Sequence, residues 1–377
     1  MNCRACNGTL RLVLDLGETP LANSFAPTEA EAKALKRYPL RLCVCASCEF
    51  VQLDVAIPGE VLFKDYAYET PRTGSLTKHY AKLLEEISRT MPRPLRIVEM
   101  GSNNGAFLEA AFQRLWGPEV VLGIEPSQIA ASVPTRRDFF TKDNAHTFGK
   151  CDLFVARHCM AHLDDLRGTL EGVHSVLNDE GWAVIENAYF LDTVNGVQFD
   201  QLYHEHHSYF TLRPMKALFE SVGLHLRHVY HADIHGGSIA MFVSKRPGPE
   251  SAVLERMLAE EEYDIDTFAF NARVTIAGLR EAMRCFNGVV DSYGATAKGS
   301  TLLNVLGTPK LRYAVDSTPT KQGKYLPGVG VKVISEVEAA KDRPDAYLLT
   351  AWNYAEEIME KTPESKFIIP FPCPRLV

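Results

Sequence analysis

Ile97-Val-Glu-Met-Gly-Ser-Asn-Asn-Gly-Ala-Phe-Leu108 reads as a strand, a tight turn and the start of a helix. A short apolar run, Leu95 to Val98, leads to the acid Glu99. Gly101 and Gly105 then frame the turn, and Phe107, Leu108 and Ala111 recur on one face of the helix that follows. Glycines at both ends let the backbone bend sharply and pass close to a ligand, where a β-carbon would collide. About one βαβ unit later Val120 to Ile124 reads as a second strand, and it too ends in an acid, Glu125. A carboxylate there can accept hydrogen bonds from both hydroxyls of a ribose. Strands at Cys151 to Ala156 and Trp182 to Glu186, around a helix from Leu166 to Leu177, continue the alternation. Repeated strand-helix units predict a parallel sheet with a ligand at the carboxyl ends of its strands.

The Gly-x-Asn-Asn-Gly turn lacks the Gly-x-Gly-x-x-Gly spacing of pyrophosphate binders. It resembles the glycine loop of class I S-adenosylmethionine methyltransferases, whose ligand carries an amino-acid tail and no phosphate. That resemblance makes Glu99, Gly101, Asn103, Asn104, Gly105 and Glu125 candidates for cofactor binding, with His158 beyond the third strand. His158 and His162 are four residues apart, a spacing that can bind metal on a helix, but no third ligand is evident. They read as pocket or packing residues.

The 377 residues suffice for two or three domains, and 46% hydrophobic with 23% charged residues is ordinary for a globular protein. A net charge of -7 argues against a broad nucleic-acid-binding face. No apolar run approaches the roughly 20 residues that span a bilayer. Cys3 and Cys6 stand where a signal peptide would need a basic and then an apolar stretch, so the expectation is a cytoplasmic protein, monomeric or weakly self-associating.

The nine cysteines are not spread as a disulfide framework. Cys3-Arg-Ala-Cys6 and Cys45-Ala-Ser-Cys48 are two knuckles able to supply four thiolates to a tetrahedral structural zinc; Cys43 is a fifth thiol nearby, and Cys45 with Cys48 is preferred because it repeats the first spacing. The stretch between the knuckles, Leu12 to Leu42, is too small and polar to hold itself together without a staple. Tyr66 and Tyr68 follow, two residues apart, and would point the same way in an extended segment.

Tyr203-His-Glu-His-His-Ser-Tyr209 gathers three histidines, a glutamate and two tyrosines. Imidazole titrates near neutral pH, and carboxylate or phenol can orient it, so the cluster suits proton transfer, with metal binding as the alternative. If extended, it would point His204 and His206 one way and Tyr203, Glu205 and His207 the other. His235-Gly-Gly-Ser238 offers polar contacts at His235 and Ser238 and close backbone approach at Gly236. Beyond one or two helices in Ala252 to Asn287, the stretch from Val289 to Asp316 repeats the strand, glycine turn, helix, strand and acid layout. There Lys298 beside a helix N-terminus, with Lys321, can serve an anionic substrate.

Taken in order, Cys-x-x-Cys twice, Tyr66-Ala-Tyr68, Val98-Glu-Met-Gly-Ser-Asn-Asn-Gly105, Tyr203-His-Glu-His-His-Ser-Tyr-Phe210, His235-Gly-Gly-Ser238 and Gly294-Ala-Thr-Ala-Lys-Gly-Ser-Thr-Leu-Leu-Asn304 resemble the zinc-containing nucleotide-sugar C-methyltransferases of deoxysugar pathways, such as the C-3 methyltransferases of antibiotic biosynthesis. The resemblance implies an α/β chain with a small N-terminal zinc module (1–65), a class I methyltransferase Rossmann-like domain (66–250) and a C-terminal Rossmann-like domain that helps hold the nucleotide sugar (251–377). It places the catalytic base on His206, its partners on Tyr203 and Glu205, and one further tyrosine on Tyr66 or Tyr68. Relatives often carry aspartate where this chain has Asn104. The cofactors implied are S-adenosylmethionine and structural zinc, and the acceptor a nucleotide-linked 4-keto-6-deoxy sugar. Three other readings compete: methylation of an oxygen, a non-catalytic cofactor-binding relative, and a metallohydrolase built on the histidine cluster.

Overall fold

The computed structural model describes residues 2–62, 70, 74–115, 117, 119–307 and 310–377, so Tyr66 and Tyr68 lie outside the described residues. The chain begins with β1 (Leu10–Pro20), β2 (Arg37–Cys45) and β3 (Val51–Leu53). Then follow β4 (Arg96–Met100), β5 (Val120–Ile124), β6 (Thr135–Arg136), β7 (Cys151–Arg157), β8 (Leu177–Ala188), β9 (Ser208–Tyr209), β10 (His225–Ala232) and β11 (Ser238–Ser244). The last group is β12 (Val290–Tyr293), β13 (Leu311–Val315), β14 (Lys332–Ile334), β15 (Ala346–Leu349), β16 (Phe367–Ile369) and β17 (Arg375–Leu376).

The central sheet has the order β10-β11-β8-β7-β4-β5-β6, parallel from β6 to β8 and antiparallel at β11 and β10. Its strands are apolar on both sides because both faces are covered. Ile97, Leu153, Val155, Val184 and Phe242 pack on one face with Leu83 and Ile87 of the helix Gly74–Thr90 and Phe107 and Leu108 of the helix Ala106–Arg114. Val98, Phe154, Ala183, Ile185 and Met241 pack on the other with Leu170 and Phe219. The chain runs from β4 outward to β6 and then restarts at β7 on the other side of β4. The switch between β4 and β7 opens a crevice at the strands' carboxyl ends. Ahead of it the backbone takes the left-handed conformation at Gly101 (φ 69°), Asn103 (φ 50°) and Gly105 (φ 82°).

A second parallel arrangement, β14-β13-β12-β15-β16 with β17 antiparallel at its edge, repeats the switch between β12 and β15. One face of it does not close on its own helices alone. Leu14, Leu40 and Leu42 from β1 and β2 share a core with Phe268, Leu279, Leu302, Val290 and Leu348. The sheet β1-β2-β3-β9 is therefore more than a zinc-stapled hairpin, because it is also packed against the C-terminal part of the chain. Its fourth strand comes from the Tyr-His-Glu-His-His-Ser-Tyr stretch itself.

Candidate active site

Three loops meet over the crevice. After β4, the amides of Gly101 and Ser102 donate to the Ile124 carbonyl at 2.8 and 3.3 Å, drawing the turn over the end of β5. The Glu125 carboxylate accepts from Asn103 N and Ser127 N, both at 2.9 Å, which fixes its plane at the mouth of the cleft. Gly101, Asn103, Glu125 and His158 line this cleft together with Tyr80, Ile124, Asp138, Phe139, Arg157 and His162. Asn104 is turned elsewhere: its amide donates to Thr70 O at 2.9 Å and its oxygen accepts from Ala106 N at 3.3 Å. Gly105 shapes the turn, since a β-carbon there would stand 2.7 Å from Val133.

Below the turn, Glu99 is fully buried and accepts from Arg157 Nε at 3.0 Å. Burial, against the adjacent Arg157 guanidinium, pushes the Glu99 carboxyl up to about 7. A second buried acid, Glu186 of β8, lies 2.6 Å from His79 Nε2 and 3.8 Å from His158 Nε2. Although burial opposes it, the His79 contact, with the Arg157 guanidinium nearby, holds Glu186 down to about 2. Arg157, Glu186 and His79 were not singled out from the sequence as site residues, whereas His162, read there with His158 as a pocket or packing residue, does line the cleft. The signals were present in the acid at the end of the strand Trp182–Glu186 and in a histidine on the apolar face Leu76, Tyr80, Leu83.

The Tyr203–Tyr209 stretch is not extended at its start. His206 N donates to Tyr203 O at 2.8 Å, closing a turn, so Tyr203 and His206 share one side instead of opposing each other. Their side chains hydrogen-bond, Tyr203 Oη to His206 Nε2 at 2.7 Å, and the His162 ring lies 5.1 Å from that of His206. His162 Nδ1 is bonded to the Glu205 carbonyl, which leaves Nε2 as its lone-pair nitrogen. Burial and the neighbouring His162, Lys298 and His158 hold His206 well below the ordinary histidine range, so its imidazole is neutral. The Glu205 carboxylate accepts from Asn23 Nδ2 at 3.0 Å. His204 (to Pro39 O, 3.1 Å) and His207 (from Ile57 N, 3.3 Å) anchor the turn to the N-terminal sheet, and among the described residues no metal shell forms around these histidines.

The third loop is His235-Gly-Gly-Ser238. His235 stacks edge-on to His158 at 4.9 Å, and its carbonyl accepts from Lys298 Nζ at 2.6 Å, joining the two Rossmann-like units at the cleft. Burial lowers the Lys298 ammonium to about 8. Gly236 is required where a β-carbon would meet Gln201 and Trp352 at 2.8 Å. Ser238 is fully buried and donates to Ile234 O at 2.9 Å, holding the loop. Lys321 is placed apart, bonded to Ala295 O at 2.9 Å, beside Asp316 at 3.5 Å and over Phe25. At the N-terminus, Cys3, Cys6, Cys45 and Cys48 converge with all four sulfurs within 4.8 Å of one another.

Three family models match in succession: a zinc binding domain over residues 3–63, a methyltransferase domain over 73–229 and a C-methyltransferase C-terminal domain over 233–372. The C-methyltransferase NovU of Streptomyces niveus is 36% identical over 409 aligned positions, covering 100% of this chain and 96% of that protein. The chain belongs to the S-adenosylmethionine-dependent C-methyltransferases. Among solved structures, the YcgJ protein of Bacillus subtilis aligns at 15% identity over 45% of this C-methyltransferase and 100% of that chain, with a TM-score of 0.35. The plantazolicin methyltransferase BpumL in complex with SAH aligns at 15% identity over 46% and 82%, with a TM-score of 0.33.

The residues of this C-methyltransferase fit both groups its family uses. The cleft offers a fixed carboxylate at Glu125 and apolar walls at Tyr80, Ile124 and Phe139 for a flat ring; beneath the turn that borders it, Glu99 holds a buried oxygen with no hydrogen-bond partner among the described residues. For zinc, Cys3 and Cys48 sulfurs are 3.6 Å apart and Cys6 and Cys45 sulfurs 3.5 Å. A tetrahedral site with Zn–S bonds near 2.3 Å requires about 3.8 Å. Four thiolates leave no open coordination position, so the metal is structural. Cys43, the fifth thiol, lies outside the cluster.

Proposed function

We propose that the chain methylates a sugar carbon, C-3 of a nucleotide-linked 4-keto-6-deoxy sugar, through an enolate, with His206 as the base. The observation that carries this reading is the 2.7 Å bond between Tyr203 and a half-buried, neutral His206, whose neighbour His162 lines the cofactor cleft. Carbon beside a ketone is not nucleophilic until it loses a proton, and a neutral imidazole within reach is the group to take it. When bound, S-adenosylmethionine supplies the electrophilic sulfonium methyl that the activated carbon receives. His206 Nε2 accepts the C-3 proton once Tyr203 turns its O–H onto the keto oxygen, where that donor stabilises the charge that develops. Glu205 completes the acceptor side. Tyr66 or Tyr68 is the further tyrosine assigned to this site. On the cofactor side we assign Glu99, Gly101, Asn103, Glu125 and His158 to contact, and Asn104 and Gly105 to loop geometry. On the acceptor side we assign His235, Gly236 and Lys298 to direct contact, Ser238 to holding their loop, and Lys321 to the nucleotide end. The division at about residues 65 and 250 belongs to the same reading.

The test is incubation with nucleotide 4-keto-6-deoxy sugars in deuterated buffer, with and without S-adenosylmethionine, read by mass spectrometry. One added methyl, with deuterium entering at C-3 when the donor is absent, is the expected result; methyl gain without exchange would point to oxygen methylation. His206→Ala should abolish both methyl transfer and exchange while leaving the cofactor dissociation constant within about twofold of wild type. Normal turnover in that variant would overturn the assignment.

A further inference from the structure

The catalytic turn is held, residue by residue, by the sheet that carries the zinc cluster. Arg4, inside the first Cys-x-x-Cys knuckle, donates to Leu53 O at 2.8 Å and His207 O at 3.2 Å. Pro39 O receives His204, Leu53 N donates to His207 O at 2.9 Å, and β3 pairs with β9. One contact stands out from this scaffolding because it engages a carboxylate asymmetrically. Asn23, in the loop after β1, donates to Glu205 Oε1 twice, from its backbone N at 3.2 Å and its Nδ2 at 3.0 Å. Glu205 Oε2 is buried and has no hydrogen-bond partner among the described residues, although the residue is only 3% exposed. A buried acceptor left empty is costly, the more so when it is charged. Such an atom calls for an explanation, and a ligand that fills it is one.

We propose that Asn23 is a positioning residue for catalysis. It saturates Oε1 of Glu205 and so presents Oε2 to a hydroxyl of the acceptor sugar next to the carbon that is methylated. This rests on the reading above that Glu205 faces the acceptor. The N-terminal sheet thereby supplies a part of the active site through Asn23, in addition to its zinc. The groups facing the Glu205 carboxylate are few: its own backbone, the two Asn23 donors and the Ala22 backbone, with the Tyr209 phenol nearby. Burial raises the carboxyl and the Asn23 donors oppose that rise.

The experiment is a double-mutant cycle in the full-length, zinc-loaded protein with Asn23→Ala, Glu205→Gln and both together. Asn23→Ala should lower kcat by about 10- to 100-fold and leave the S-adenosylmethionine dissociation constant and zinc content unchanged. If Asn23 acts through Glu205, adding Asn23→Ala to Glu205→Gln has no further effect. Multiplying effects would overturn the proposal. A second readout does not depend on turnover: the carboxyl carbon of Glu205, identified by its loss in Glu205→Gln, is followed by NMR titration. Its titration should move to higher pH in Asn23→Ala, because two donors to the ionised form are removed. An unmoved titration would sink the proposal even if the protein methylated no sugar, whereas a moved titration with an inactive wild type would locate the failure in the substrate reading instead.

Discussion

At the scale of single residues, the proposed site keeps imidazoles neutral. Burial does most to hold His206 down, and its neighbours His162, the Lys298 ammonium and His158 add to that. A base held below its ordinary value stays unprotonated at pH 7, at the expense of some proton affinity. Lys298 is the one of these neighbours that is charged, and it comes from the helix Ala297–Leu306 of the second Rossmann-like unit. Lys298→Met should therefore raise the His206 pKa and move the acidic limb of the kcat/KM profile up towards the ordinary imidazole value near 6.5. If Lys298 also meets the anionic end of the substrate, KM rises as well, by about tenfold. A pH–rate series on wild type and variant separates the two effects, and an unmoved limb would remove Lys298 from the base's surroundings.

At the scale of elements, the instructive unit is the short strand β9. Two residues long, it cannot hold its own position, and its partners are β3 and the knuckle residue Arg4. The path from the metal cluster to the Tyr203–His206 turn is correspondingly short, from the four cysteines through Arg4 to the His207 carbonyl. Removal of zinc frees Cys3 and Cys6, and Arg4 between them loses its fixed geometry. Chelation is expected to lower kcat by at least tenfold with cofactor affinity nearly unchanged, because the Gly101–Gly105 turn is anchored on the Ile124 carbonyl and the Glu125 carboxylate. Parallel measurement of turnover and cofactor binding during chelation checks this. Loss of both together would mean that the metal supports the whole fold and not this path.

At the scale of the molecule, two α/β units are closed on one another by the N-terminal sheet and by the His235–Lys298 contact. Their interior carries ionisable groups that burial keeps uncharged. His158 and His162 both fall to about 4 in the folded chain, against about 6.5 for a free imidazole. The folded form thus binds fewer protons than the unfolded chain between those values. Stability contributed by these two residues is complete above about pH 6.5 and is lost as pH falls towards 4. Thermal unfolding followed from pH 7 to pH 5 should show a falling Tm, with a shallower slope in His162→Asn. An equal slope in that variant would assign the acid sensitivity to other groups.

The sequence by itself determined what local periodicity and spacing can encode. Ile97 to Leu108 wrote a strand, turn and helix, Glu125 and Asp316 marked the acids after the second strands, and the two Cys-x-x-Cys pairs named the four sulfurs that converge. Each of these is decided by residues close together in the chain, or by a spacing that only one geometry satisfies. Tertiary structure decided which polar side chains meet. The turn at Tyr203–His206 paired two residues that alternation would have set on opposite faces, and it sent Glu205 to Asn23, 182 residues away. His79 reached Glu186 across the sheet, while Asn104 turned from the cleft to brace Thr70. These contacts depend on how three sheets pack, and packing is set by the summed burial of many apolar residues, which leaves no short-range signature around any one polar side chain.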